Sequence, residues 1–230
     1  VNSGTTALTG LVLTDNLGAY TFNEASLFPL QYVANSLKYY VNGVLQTSPV
    51  IASQEPLQIE GFSIPAQGNA VVIYQAALTQ FAPSATNSTI TNQAVISGTG
   101  ISSITVEETI SALAEPILNI TKSISPVPVT ENGALTYTFV IENRGNVPAD
   151  PVDLIVITDQ FNPILSDLTV TFNGTAWAEG TQYTYDQTTG LFTTKAGEIT
   201  VPAATFTQNA DTGAWSVIPG TSTLVITGTV

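Results

Sequence analysis

The sequence predicts an all-β protein made of two tandem sandwich domains, and three observations carry that prediction. Short runs rich in Val, Ile, Thr, Tyr and Phe recur along the chain, punctuated by Gly, Pro, Asn and Ser. Helical periodicity is nearly absent. The two halves of the chain share a succession of motifs.

Taken in order, LKYYVNG at 37–43 reads as a strand running into Asn-Gly, the strongest short hairpin signal. AVVIYQAAL at 70–78 is almost continuously apolar and reads as a more buried strand. At 104–116 two readings compete. EETISALAEP suits a turn or two of helix before Pro116 ends it, whereas ITVEETI at 104–110 alternates as a strand does, and the strand is preferred. LTYTFVI at 135–141 puts Leu135, Tyr137, Phe139 and Ile141 on one face, with Thr136 and Thr138 on the other. LTVTFNG at 168–174 brings a second Asn-Gly hairpin, and TLVITGTV at 223–230 reads as another buried strand.

Composition narrows the functions open to such a chain. Its 230 residues include 4 Lys+Arg against 17 Asp+Glu, a net charge of −13 that repels phosphate backbones and argues against nucleic-acid binding. With no Cys and no His there is no thiolate or imidazole metal site, no Ser-His-Asp triad and no disulfide framework. No apolar run reaches the roughly 18 residues of a membrane span. Neither a catalytic, a cofactor nor a metal site is expected, and the chain reads as a non-enzyme. It opens at Val1 with neither an initiator Met nor a signal peptide, as a processed, trimmed or partial chain does.

The internal repeat is out of phase. NSGTTALTGLVLTDNL at 2–17 answers NRGNVPADPVDLIVITDQF at 143–161, YYVNG at 39–43 answers VTFNG at 170–174, and FSIPAQGNAVVIY at 62–74 answers WSVIPGTSTLVIT at 215–227. These matches define two related domains, 1–115 and 116–230, joined near Ala114–Pro116. The second has a front section at 117–141 that the first lacks, and the first has a tail at 86–110 that the second lacks. Each domain is therefore expected to miss strands that its sibling possesses, leaving backbone unpaired and core open. Trimmed or disordered ends explain this plainly. The sharper reading has strands arriving from a neighbouring subunit, which makes a chain that polymerises head to tail.

TDNLGAYTF at 14–22, YYVNGVLQ at 39–46, TITNQAVISGTG at 89–100, LTYTFVIENRGN at 135–146 and ITVPAATFTQNADTGAW at 199–215 carry a family resemblance. Together they resemble the conserved-repeat domain of bacterial surface proteins, the family long labelled domain of unknown function eleven, over nearly the whole chain. The resemblance implies an immunoglobulin-like sandwich in an exported, repeat-built, surface-associated protein. It also implies that a segment resembling the TNQA tail commonly precedes the first repeat. Such a segment upstream of Val1 would be a natural donor for the second domain of an adjacent subunit.

Four polar residues share strand parity with apolar ones: Lys122 with Leu118, Ile120 and Ile124; Asn92 with Ile90, Ala94 and Ile96; Asp159 with Ile155 and Ile157; Asp15 with Leu11 and Leu13. Surface sandwiches similar to this one often carry Lys–Asn isopeptide bonds assisted by Asp or Glu. Desolvation favours the neutral amine as nucleophile and the protonated acid that polarises the amide. The phase of the repeat divides the participants: the second domain holds Lys122 and Asp159 without the tail Asn, and the first holds Asp15 and Asn92 without the front Lys. The same residues admit plainer readings, with Asn92 bonded to backbone, the Thr-Asp pairs capping turns, and Lys122 reaching solvent at a sandwich edge.

Weaker signals are the sequons at Asn87, Asn119 and Asn173, the loop acids Glu179, Asp186 and Asp211 as Ca²⁺ ligands, and Trp177, Trp215, Tyr183 and Tyr185 as a sugar-stacking face. The expected function is that of a structural subunit of an extracellular bacterial filament or surface appendage, whose partners are copies of itself. A non-polymerising stalk or adhesin module and a carbohydrate- or host-ligand-binding module are the alternatives.

Overall fold

A computed structural model describes residues 1–230. The chain is all-β: twenty-two strands and one short 3-10 turn at Pro151–Asp153. It divides into two compact units, Val1–Ala112 with Thr207–Ser216, and Leu113–Phe206 with Val217–Val230.

The first unit holds β1 (Leu8–Asp15), β2 (Tyr20–Phe22), β3 (Ala25–Leu27), β4 (Leu30–Tyr32), β5 (Lys38–Val41), β6 (Val44–Gln46), β7 (Val50–Gln54), β8 (Leu57–Ile64), β9 (Ala70–Ile73), β10 (Ala76–Leu78), β11 (Thr89–Ser97) and β12 (Ile104–Ser111). A five-stranded sheet in the order β12-β11-β1-β8-β7 packs against a three-stranded sheet, β6-β5-β9. Leu11, Leu57, Ile59 and Phe62 from the larger sheet meet Tyr39 from the smaller, and Tyr39 and Phe62 touch edge to face at 6.2 Å. The preferred strand at 104–110 is β12. The hairpin at Asn42-Gly43 forms as predicted, with φ of 48° and 80°, the left-handed pair that a two-residue type I′ turn needs.

The second unit holds β13 (Leu118–Ser125), β14 (Ala134–Asn143), β15 (Thr158–Gln160), β16 (Ser166–Phe172), β17 (Thr175–Trp177), β18 (Tyr183–Asp186) and β19 (Leu191–Thr194). Then come the hairpin strands β20 (Thr205–Gln208) and β21 (Trp215–Ile218), whose tip groups with the first unit, and finally β22 (Gly220–Thr229). Here the five-stranded sheet runs β13-β14-β22-β16-β17 and the three-stranded sheet β15-β19-β18. The predicted core face of β14 is buried throughout, from Leu135 to Ile141. Asn173-Gly174 turns the β16–β17 hairpin with φ of 50° and 80°. β22 is central: Leu224 lies between Phe139 and Phe172, and Ile226 between Tyr137 and Val170. At its start, Gly220 packs so closely on the Pro202 carbonyl that a Cβ would overlap backbone, which cannot swing aside. Gly220→Ala is expected to cost about 1–3 kcal/mol, read as a lower urea midpoint for the second unit.

One expectation is corrected. Residues 70–78 do not form a buried strand. They divide into β9 and β10, and Val71, Ile73 and Leu78 are exposed. The reason is positional, since β9 is an edge of its three-stranded sheet.

Candidate functional site

The repeat motifs place the two units in register, and the register shows what differs between them. The TDNL and TDQF motifs equate β1 with β15. The Asn-Gly hairpins equate β5–β6 with β16–β17. In the first unit the sheet containing β1 continues through β11 and β12, whereas in the second the matching sheet stops at β15. Conversely, the sheet containing β16 continues through β22 to β14 and β13, whereas its counterpart stops at β9. Each unit thus sets a five-stranded sheet against a three-stranded one, with the short β4–β10 ladder adding Leu30 and Tyr32 to the first core, and the shortfall falls on opposite sheets.

The overhanging strands bear apolar rows without a lid. On β12, Ile104, Val106 and Ile110 stand opposite Ile96, Ala94 and Ile90, so they lie on the core-facing side. On β13, Ile120 and Ile124 stand opposite the buried Ile141 and Tyr137. These three side chains of β12, together with Leu118, Ile120 and Ile124, are nonetheless 38% to 62% exposed. Val152, Leu154 and Val156, leading into the free edge of β15, are exposed as well. β12 carries Glu107 and Glu108 and β13 carries Lys122, the kind of charge that blunts an edge, yet both strands keep these apolar rows open to water.

Each unit carries one polar cluster on its core-facing side, built from the residues singled out by parity. In the first unit Asp15 is 2% exposed. Its Oδ1 accepts the Leu17 backbone N–H at 2.7 Å, and its Oδ2 accepts from Asn92 Nδ2 at 3.0 Å and from the Tyr74 hydroxyl. Burial first, then the hydrogen bond to Asp15 and its negative charge, push the Tyr74 phenol well above the ordinary tyrosine range. Asn92 Oδ1 is buried with no hydrogen-bond partner, and Asn92 stands opposite Glu108 across the β11–β12 ladder. The cluster has acceptors to spare and no cation.

In the second unit Lys122 Nζ forms an ion pair with Asp159 Oδ2, and the two side chains are 40% and 18% exposed. Lys122 leaves the five-stranded sheet, Asp159 the three-stranded one, so the pair bridges the two sheets at the open edge. The ammonium lies over the Tyr137 ring, 4.7 Å from its centroid. Burial, and next the charge of Asp159, raise the Tyr137 phenol. The structure therefore brings Asp15 to Asn92 and Lys122 to Asp159, each pair within one unit. Sequence parity identified all four residues and missed Tyr74, whose part in the cluster depends on a β9 end that the sequence presents as plain buried strand.

The weaker signals take ordinary structural places. Tyr183 and Tyr185 are buried and Trp177 packs on Phe172 at 4.9 Å, so these do not form a sugar-stacking face. Asp186 accepts from the Thr188 N–H and the Thr189 hydroxyl, both at 2.8 Å, and these bonds hold its carboxyl below the usual carboxylate range. No three Asp or Glu residues gather where they could hold a metal ion. The Asn173 side chain is engaged with Ser222 and the Thr223 N–H. No helix is long and apolar enough to cross a membrane.

The fold defines an all-β, two-unit protein whose edge strands β12 and β13 expose apolar rows. No family model, curated protein or solved structure matches the chain.

Proposed function

We propose that this protein is the structural subunit of an extracellular bacterial filament or surface appendage, joined head to tail by strands that one subunit lends to the next. The observation that carries this reading is the five-on-three mismatch, with its uncovered apolar rows on β12 and β13. Adding strands to an incomplete sheet pairs the open backbone edge and buries those rows together. Because the two units lack different strands, the joint is heterologous, and a heterologous joint that does not close propagates as a fibre. A net charge of −13 suits separated fibres, and 4 Lys+Arg leave trypsin-like proteases few targets.

The polar clusters fit a covalent seal at each joint. Lys122 stands ready with its acid, Asp159, and needs an Asn from an incoming strand. Asp15 and Asn92 stand ready and need a Lys. Covering such a cluster removes it from water and favours the neutral amine and protonated acid over the ion pair. The amine nitrogen then attacks the Asn Cγ. A C–N bond forms, the Cγ–Nδ2 bond breaks, and the leaving nitrogen departs as ammonia with a proton from the lysine amine, relayed by the carboxyl group. The reaction occurs once per joint and is maturation, not turnover.

Boiling native material in detergent tests this reading. A ladder of subunit multiples is expected, with a branched tryptic peptide at Lys122 that has lost one ammonia. Lys122→Ala should collapse the rungs that this bond holds. A single unmodified band from material that shows fibres by microscopy sinks the covalent seal and keeps strand exchange. The same band without fibres sinks the filament and leaves the stalk and ligand-binding alternatives.

A further inference from the structure

Resting on the filament reading, we infer that the open edge of β15 is the receptor for a strand pair patterned like Thr89–Ser111, donated by a neighbouring copy in one fixed register that sets an Asn beside Asp159. The chain itself contains the template. In the first unit the outer edge of β1 is occupied by β11, with Thr14 opposite Val95 and Asp15 opposite Ala94, and this register lays the Asn92 amide on the Asp15 carboxylate. Thr158 and Asp159 repeat Thr14 and Asp15 in a matching strand. Asp159 pairs across its ladder with the buried Phe192 just as Asp15 pairs with the buried Leu57. The edge of β15 away from β19 is unpaired.

The register is fixed by two independent features. Side chains alternate faces along a strand, so a slip of one residue would turn the donor's apolar row outward. The row that corresponds to Ile90, Ala94 and Ile96 must face inward to cover Ile120 and Ile124, which now lie open to water. Within that parity, only one position brings the donor's amide to the Lys122–Asp159 pair, where it meets a carboxylate acceptor on one side and an amine on the other. A strand with an apolar residue there would bury an ion pair without a further partner, which is costly. A strand with Lys there, the pattern of β13, would set a second cation against Lys122. The polar pair therefore selects tail-type strands and rejects front-type ones, which gives the joint its direction.

The test appends a second copy of residues 86–112 after Val230 of the full chain through a flexible Gly-Ser linker, and follows hydrogen exchange with mass spectrometry. The expected result is slowing of about 100-fold in the outward-facing backbone amides of Thr158 and Gln160, while the Lys122 side chain becomes protected from acylating reagents. Changing Ile90→Lys and Ile96→Lys in the appended copy alone should abolish both effects, and appending residues 117–143 instead should produce neither. Unchanged exchange at Thr158 and Gln160 with a monomeric, folded fusion overturns the inference, as does equal protection by the 117–143 segment. Protection in the fusion together with native material that forms no fibres would remove the filament reading and keep the receptor. Fibres whose Thr158 and Gln160 amides exchange freely would do the reverse.

Discussion

Phe161→Ala is expected to destabilise the second unit by about 3–5 kcal/mol. Phe161 is 1% exposed and follows β15 directly. Its ring stacks on Tyr137 of one sheet at 4.5 Å and on Phe192 of the other at 5.7 Å, with Tyr185 at 5.8 Å. It is the side chain through which the short sheet grips the long one, so its removal leaves a cavity lined by three rings that cannot all close in. Urea unfolding read by hydrogen exchange should show the second unit opening at much lower denaturant, with the first unit's midpoint little changed. Leu191→Ala, on the exposed face of β19, should cost under about 1 kcal/mol in the same assay. Equal losses from the two substitutions would mean that Phe161 does not clamp the sheets.

Asp15→Ala is expected to destabilise the first unit by about 2–4 kcal/mol, through hydrogen bonding and not volume. Three donors converge on this carboxylate: the Leu17 N–H, the Asn92 amide and the Tyr74 hydroxyl. Alanine strands all of them, whereas Asp15→Asn keeps an acceptor for Leu17 and should cost less. Tyr74 supplies a second readout. Its folded-state pKa is raised, so its contribution is fully present below the ordinary tyrosine value of about 10 and is lost as pH climbs above it. Absorbance titration should find Tyr74 ionising at lower pH in Asp15→Asn than in the parent, because one of the causes of the shift has gone. An unchanged tyrosine titration would show that the carboxylate does not govern the phenol.

The architecture was legible to different depths along the chain. Period-two alternation located β14 because both its neighbours and its opposing layer are present, so that facing inward and being buried coincide for Leu135 to Ile141. Turn chemistry was equally local: Asn42-Gly43 and Asn173-Gly174 need only their own φ angles. Burial at 70–78 is not legible locally because it depends on strands that stand beside β9, and apolar content at an edge looks the same as apolar content in a core. The same limit applies to the polar rows. Parity placed Lys122 and Asp15 on the inward face, yet Asp15 is sealed while Lys122 keeps a solvent path. That difference follows from which sheet has its extra two strands, a property of topology that parity does not encode. The out-of-phase repeat was the one long-range signal, and the five-on-three sheets are its structural form.

The pairing of β22 also bears on how the second unit carries load. This strand is hydrogen-bonded to β14 along ten residue pairs on one side and to β16 on the other. Tension applied along its axis from the Val230 end meets those bonds in shear, so many must yield at once, whereas a strand peeled from a sheet edge loses them one by one. A hydrogen-bonded ladder loaded in shear resists pulling far better than one that is unzipped. The second unit is thus stiff along the direction of β22.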